Sequence, residues 1–461
     1  MASTLATLVV ASLLATTNAL PPAVFGNNGA GGAKPGTVSL TQVHNTNFIR
    51  NGALELARIL RKYNAPIRPH LQEAVSRIRA EQQQQQNQKR DDGEDDDHKG
   101  GGGTGTAEAS PQKHDVEYLI PVSIGSPGQT LSLDLDTGSS DLWVFSTLMG
   151  KDEVNGQAVY NPEESRSAKK MEGYSWKIQY GDGSTSSGDV YQDTVTVGGL
   201  TVSSQAVEAA RNVSDEFTAD TANDGLIGLA FGSINTILPK QQHTWFENAM
   251  SQLDQPVFTA DLKASSPGHY NFGYIDSSAY KGNITYTAVD SSDGFWMWDS
   301  PGYAVGSTSS GLNATVIHGI ADTGTTLLLL PEEVVGAYYS QVDGGGYSPS
   351  QGGYTVPCDV KAPSLYFAVS SSSSSGGGGG GGGGGREGED DAALADATFI
   401  KIPGKYMVYS PVDKTGKECF GGVQEDTGIG FSIFGDVALK AAFVVFDAGN
   451  LRLGWAEKEL S

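Results

Sequence analysis

Asp136-Thr137-Gly138-Ser139-Ser140 returns later in the chain as Asp322-Thr323-Gly324-Thr325-Thr326, and this duplication decides the fold. Each copy closes an apolar run: Leu131, Leu133 and Leu135 precede the first, and Val316, Ile317 and Ile320 precede the second. Such runs predict strands, after which Gly138 or Gly324 lets the backbone turn tightly so that its N–H groups face the carboxylate. Two carboxylates offered by two similar hairpins predict one shared site. Carboxyl groups within hydrogen-bonding distance cannot both ionise cheaply, so the pair holds one proton over an acidic range, one member serving as base and the other as acid. That chemistry suits the activation of water against an amide.

Outward from these stretches the pattern is all-β from Tyr118 onward, with short alternating runs punctuated by Gly, Ser and Asp. Strand alternation puts Asp134 on the same face as Asp136, either as a third carboxylate beside the site or as a solvated residue on a polar face. Trp176–Tyr180 and Asp189–Val197 flank Gly181-Asp182-Gly183-Ser184, which predicts a hairpin with a turn-rich tip. Asp224-Gly225-Leu226-Ile227-Gly228-Leu229 in the first half is matched by Ser432-Ile433-Phe434-Gly435-Asp436-Val437 in the second. With the paired Asp-Thr-Gly runs, this indicates an internal duplication, hence two similar lobes and a cleft between them. Pro331-Glu332-Glu333-Val334 predicts the start of a short helix.

Taken together, these stretches resemble the pepsin family of two-lobed aspartic endopeptidases, and within it the secreted fungal type, from about Tyr118 to Trp455 apart from one insertion. The resemblance implies that Asp136 and Asp322 hold the lytic water and that no metal or other cofactor takes part. It implies that Ser139 and Thr325 hydrogen-bond the outer carboxylate oxygens, while Thr137 and Thr323 brace the loops against each other. Tyr180-Gly181-Asp182-Gly183, with Ser184, resembles the family's mobile flap, whose Tyr180 hydroxyl would donate to Trp143. Substrates would be extended proteins or peptides with apolar side chains around the cut, and Asp134 with Asp182 would let the first pocket accept Lys as well. The rival reading is a catalytically inactive pepsin-like binding or inhibitory protein. A metallopeptidase is disfavoured because the seven histidines form no HExxH, and a serine hydrolase because no Gly-x-Ser-x-Gly elbow is present.

The ends of the chain carry different information. Leu5–Leu20 is mostly apolar and ends in Thr17-Asn18-Ala19, which predicts an export signal cleaved after Ala19, with a buried or membrane helix as the other reading. A secreted protein is expected, with a vacuolar one as the alternative, and no membrane partner. Cys358 and Cys419 then read as one disulfide or as two buried thiols, and Asn212, Asn283 and Asn313 head glycosylation sequons. The net charge of −23 divides into about +7 up to Arg90 and about −30 beyond it. A basic leader on an acidic body predicts an electrostatic clamp that relaxes in acid, and a body that repels nucleic acid.

Within that leader, Asn47–Arg68 reads as the basic amphipathic part of a propeptide acting as an intramolecular inhibitor, with Lys62 resembling the lysine that family pro-segments place near the catalytic carboxylates, or else as an ordinary surface helix. Gln82–Gln86, Lys89-Arg90, Asp91–Asp97 and Gly100–Gly103 have linker composition, with processing after Arg90 or by self-cleavage near Gly105–Lys113. The expected organisation is a signal over 1–19, propeptide and linker over 20–106, an N-terminal lobe over 107–285 and a C-terminal lobe over 286–461, in a monomer. A Ser/Gly-rich acidic insertion over 370–391 would lie inside the disulfide loop.

Overall fold

The computed structural model describes residues 36–44, 51–91, 118–179, 185–264, 266–309, 311–371, 394 and 396–460. The expected signal segment, the flap tip 180–184 and the insertion from 372 onward fall outside these residues.

The chain is all-β with few helices, in the two-lobed arrangement the duplication predicts. In the first half, Gln129–Asp136 lies parallel to Gly225–Gly228, which in turn pairs antiparallel with Leu142–Val144. The second half repeats the arrangement: Ile317–Ala321 lies parallel to Ser432–Phe434, which pairs antiparallel with Leu328–Leu330. The matched Gly segments therefore cross beside their Asp-Thr-Gly loops. A Cβ on Gly228 would collide with the Ser139 and Ser140 backbone, and one on Gly435 with the Thr325 backbone, so only glycine admits so close a crossing. A six-stranded sheet draws on both halves, with Val257–Asp261 pairing to Phe443–Asp447. Cys358 and Cys419 form the disulfide. Glu332–Tyr339 is the helix predicted at Pro331.

The leader is folded onto this body. Val38–Thr41 adds an edge strand to the six-stranded sheet, antiparallel to His269–Phe272. Helix α1, Gly52–Lys62, is capped by Asn51, whose side chain accepts from the Leu54 N–H, and it carries Arg61 and Lys62 in its last turn. Helix α2 spans Pro69–Asp91. The Gln82–Gln86 run and Lys89-Arg90, expected as linker, are thus helical. Gln, Glu, Lys and Arg are good helix formers, and the helix propagates from a first stretch anchored by buried Leu71, Ala74 and Val75. Leu56, Ile59, Leu60 and Leu71 share one apolar cluster with Leu327, Leu329, Phe420 and Ile433 of the body.

Candidate active site

The strands Gln129–Asp136 and Ile317–Ala321 deliver the two carboxylates to one point. Asp136 and Asp322 are both buried, and each accepts a hydrogen bond from the N–H of its own loop glycine: Gly138 N to Asp136 Oδ1 at 2.8 Å, Gly324 N to Asp322 Oδ1 at 3.0 Å. The glycines also admit the opposite acid. A Cβ on Gly138 would collide with the Asp322 carboxylate, and one on Gly324 with that of Asp136. Ser139 Oγ donates to Asp136 Oδ2 at 2.5 Å, and Thr325 Oγ1 donates to Asp322 Oδ2.

Below the carboxylates the two loops are locked reciprocally. Thr137 N–H donates to Thr323 Oγ1 at 3.1 Å, and Thr323 N–H to Thr137 Oγ1 at 3.0 Å. Each hydroxyl then donates across to the opposite strand, Thr137 Oγ1 to Ala321 O at 2.8 Å and Thr323 Oγ1 to Leu135 O at 2.6 Å. Four bonds, all buried, leave neither backbone N–H unsatisfied and fix the spacing of the carboxylates.

The leader occupies this point. Lys62 Nζ lies 2.8 Å from Asp136 Oδ1 and 3.0 Å from Asp322 Oδ2. Its neighbour Tyr63 donates to Asp322 Oδ2 at 2.6 Å and packs edge-on against Phe295 and Phe431. Arg58 Nη2 donates to Gly324 O at 3.2 Å. Burial opposes the charge on Lys62, but the Asp136 and Asp322 carboxylates outweigh it and hold the ammonium's pKa above its ordinary value. Burial raises Asp136, Lys62 counteracts that and Asp322 adds to it, leaving Asp136 above 3.8. Burial also works against Asp322, yet Lys62 and the Thr325 and Tyr63 hydroxyls prevail and hold it below 3.8. The two carboxyls thus differ in proton affinity although their loops match.

Asp134 is 4 % exposed, which removes the solvated reading. Burial, and then the Asp136 charge, push its pKa up to about 8, so it stands beside Asp136 as a neutral acid through the acidic range. Trp143 is buried, with its ring 6.2 Å from Trp176, and its indole N–H has no partner among the described residues. Tyr180, Gly181, Asp182 and Ser184 lie outside the described residues, between the paired ends Gln179 and Thr185 of an antiparallel hairpin. In the sequence, Tyr63 is signalled only by its adjacency to Lys62, and Arg58 only as one of the basic residues of the leader helix.

The eukaryotic aspartyl protease family model matches residues 117–458. Endothiapepsin of Cryphonectria parasitica is 48 % identical over 426 residues, spanning 92 % of this chain and 91 % of that protein. Aspergillopepsin-1 of Aspergillus fumigatus is 49 % identical over 353 residues (77 % of this chain, 81 % of that protein), and penicillopepsin-3 of Penicillium janthinellum is 46 % identical over 421 (91 % and 92 %). With two buried carboxylates on duplicated loops and this breadth of similarity, the chain belongs to the eukaryotic aspartyl protease family and has its aspartic-type endopeptidase activity on proteins and peptides. Among the described residues, no helix is long and apolar enough to cross a membrane.

Proposed function

We propose that the chain is a secreted zymogen whose Asp136 and Asp322 form the water-activating dyad of an acid-acting endopeptidase, with residues 20–106 as propeptide and linker. The observation that supports it best is the single Lys62 ammonium held against both carboxylates. One cation satisfies two acids that would otherwise share a proton, and it blocks the point where a scissile amide must approach.

Acid loosens this arrangement in a definite direction. Asp322 is held below 3.8, so its contribution to leader binding is complete above that value and fades as pH falls through the depressed pKa. Once the leader is gone, the pair carries one proton. Water attacks the scissile carbonyl carbon, losing a proton to the ionised carboxylate while the protonated one donates to the carbonyl oxygen. Collapse of the tetrahedral diol then breaks the C–N bond as the dyad passes a proton to the leaving nitrogen, and no covalent enzyme intermediate forms. Ser139 and Thr325 orient the carboxylates, Thr137 and Thr323 fix their separation, and Tyr180, Gly181, Asp182 and Ser184 form the lid, ordered by Trp143. Apolar side chains are preferred around the cut, as befits a cleft that holds Tyr63 against Phe295 and Phe431.

The test is hydrolysis of an unfolded protein at acid and neutral pH, with and without a statine-type inhibitor, alongside Asp136→Asn. The expected result is inhibitor-sensitive cleavage confined to acid and abolished by the substitution. Cleavage that survives Asp136→Asn would overturn the dyad, whereas no cleavage by the parent chain at any pH would favour the rival, silent-protein reading.

A further inference from the structure

Beyond the dyad, the leader makes a second charged contact that no role in catalysis explains. Arg68 Nη2 donates to Glu425 Oε2 at 2.6 Å and to Thr427 Oγ1 at 2.7 Å. The receiving side is built by the body and not by the leader. Tyr354 OH donates to Glu425 Oε1 at 2.7 Å, Thr427 Oγ1 to Glu425 Oε2 at 3.2 Å, and the Tyr354 backbone is itself clamped by Gln424 through bonds of 2.8 and 3.0 Å. The Glu425 side chain is only 9 % exposed, whereas that of Arg68 is 42 % exposed. The acid is therefore the fixed partner and the arginine the removable one. Glu425 also closes the strand Val423–Glu425, which runs parallel to Leu328–Leu330, the strand that leaves the second Asp-Thr-Gly loop. A small cavity between leader and body, walled by Tyr347, Tyr354 and Gly352, adjoins the contact.

We propose that Glu425, Thr427 and Tyr354 form a subsite for a basic substrate side chain several residues from the scissile bond, and that Arg68 occupies it while the leader is bound. The inference rests on the leader being a propeptide seated in the substrate cleft. Removing the leader takes away the Arg68 cation but leaves the carboxylate held by its tyrosine and threonine, beside an aromatic wall suited to the apolar stem of Arg or Lys. A guanidinium or ammonium fits this site, and a carboxylate is repelled. The leader turns sharply after Lys62, with Asn64 at a φ of 53°, so its residue spacing does not give the position in an extended substrate, and that position must be found by scanning.

The experiment uses the full chain after acid activation and a set of apolar peptides in which one residue at a time, on either side of the cut, is Arg, Leu or Glu. The readout is the ratio of kcat/KM for the Arg peptide to that for the Leu peptide. At one position away from the cut the ratio is expected to be about ten, the scale of one charge-assisted hydrogen bond, and to fall to about one in Glu425→Gln. In Glu425→Lys the same position should instead favour Glu. A ratio near one at every position, or a preference that survives Glu425→Gln, would overturn the subsite and leave Glu425 as an anchor for the leader alone. Cleavage of the Leu peptide, and its loss in Asp136→Asn, reports separately on the dyad.

Discussion

At the scale of single residues, the site works by placing matched side chains in unmatched environments. Asp136 and Asp322 sit on equivalent loops, yet the leader contributes Tyr63 to only one of them. Lys62→Ala in the full chain removes the shared cation and leaves two buried carboxyls facing each other. Leader loss near neutral pH, followed by N-terminal sequencing over time, should then run about tenfold faster or more than in the parent chain. An unchanged rate would mean that the apolar contacts of the leader suffice. A second prediction separates the two acids expected to accept a Lys side chain. Burial, and then the Asp136 charge, push the Asp134 pKa up to about 8, which makes it a poor counter-ion in acid, so a lysine preference is expected to rest on Asp182. The Lys-to-Phe cleavage ratio should drop in Asp182→Ala and hold in Asp134→Ala; the reverse pattern would restore Asp134 as the recognition acid. The alternation of Leu131, Leu133 and Leu135 disclosed which face Asp134 takes, but not its burial, because burial depends on what packs over that face.

At the scale of elements, a second buried acid pair joins the end of the first loop to a neighbouring strand. Asp141, directly after the duplicated stretch, and Glu208, on the strand Leu200–Asn212, both face the Asn235 amide, which donates to Asp141 Oδ1 at 2.7 Å and to Glu208 Oε1 at 3.2 Å. Burial raises Asp141 to about 6, and burial followed by the Asp141 charge raises Glu208 well above its ordinary value. A raised acid binds its proton more tightly in the folded chain. Its stabilisation is therefore complete below 3.8 and is lost as pH climbs towards 6 and beyond. The acid-activated chain should lose activity on incubation at neutral pH, and Glu208→Gln, which keeps a hydrogen-bonding amide without the charge, should move the midpoint of that loss upward by about one pH unit. An unmoved midpoint would place the weakness elsewhere. Glu208 carries no signal in the sequence, since one acid in a 13-residue strand becomes notable only when Asn235 and Asp141 are seen beside it.

At the scale of the whole molecule, the basic leader and acidic body meet through a few specific contacts as well as through their net charges. Lys62 and Arg68 pair with named acids, while Leu56, Ile59, Leu60, Leu71 and Val75 are buried. Each such apolar side chain contributes about 1.5–3 kcal/mol on burial, and acid does not touch that part. Protonation should therefore loosen the leader without expelling it, leaving cleavage to make release irreversible. Inhibition of the activated chain by the separated leader is expected to weaken on acidification below 3.8 and on raising salt, since the Debye length shrinks from about 30 Å at 0.01 M to about 3 Å at 1 M. Some inhibition should persist under both conditions. An affinity indifferent to pH and salt would leave the clamp without a role.

The place of Lys62 rested on resemblance, with a surface helix as the other reading, whereas the sequence by itself determined the duplicated loops, the all-β lobes that carry them and the residues at their tips. These are local: a strand, a glycine turn and a repeat are written in neighbouring residues. Helix α2 covers a stretch expected as linker, because composition reports polarity, whereas helix propagation depends on an anchored first stretch. Tertiary structure alone decided the partners that depend on distance in space rather than along the chain: Tyr63 on Asp322, Asp134 under cover, Glu208 facing Asp141, and Arg68 on Glu425. Each was settled by which surfaces pack together, and packing sets burial, which in turn sets the charge that every one of these groups carries.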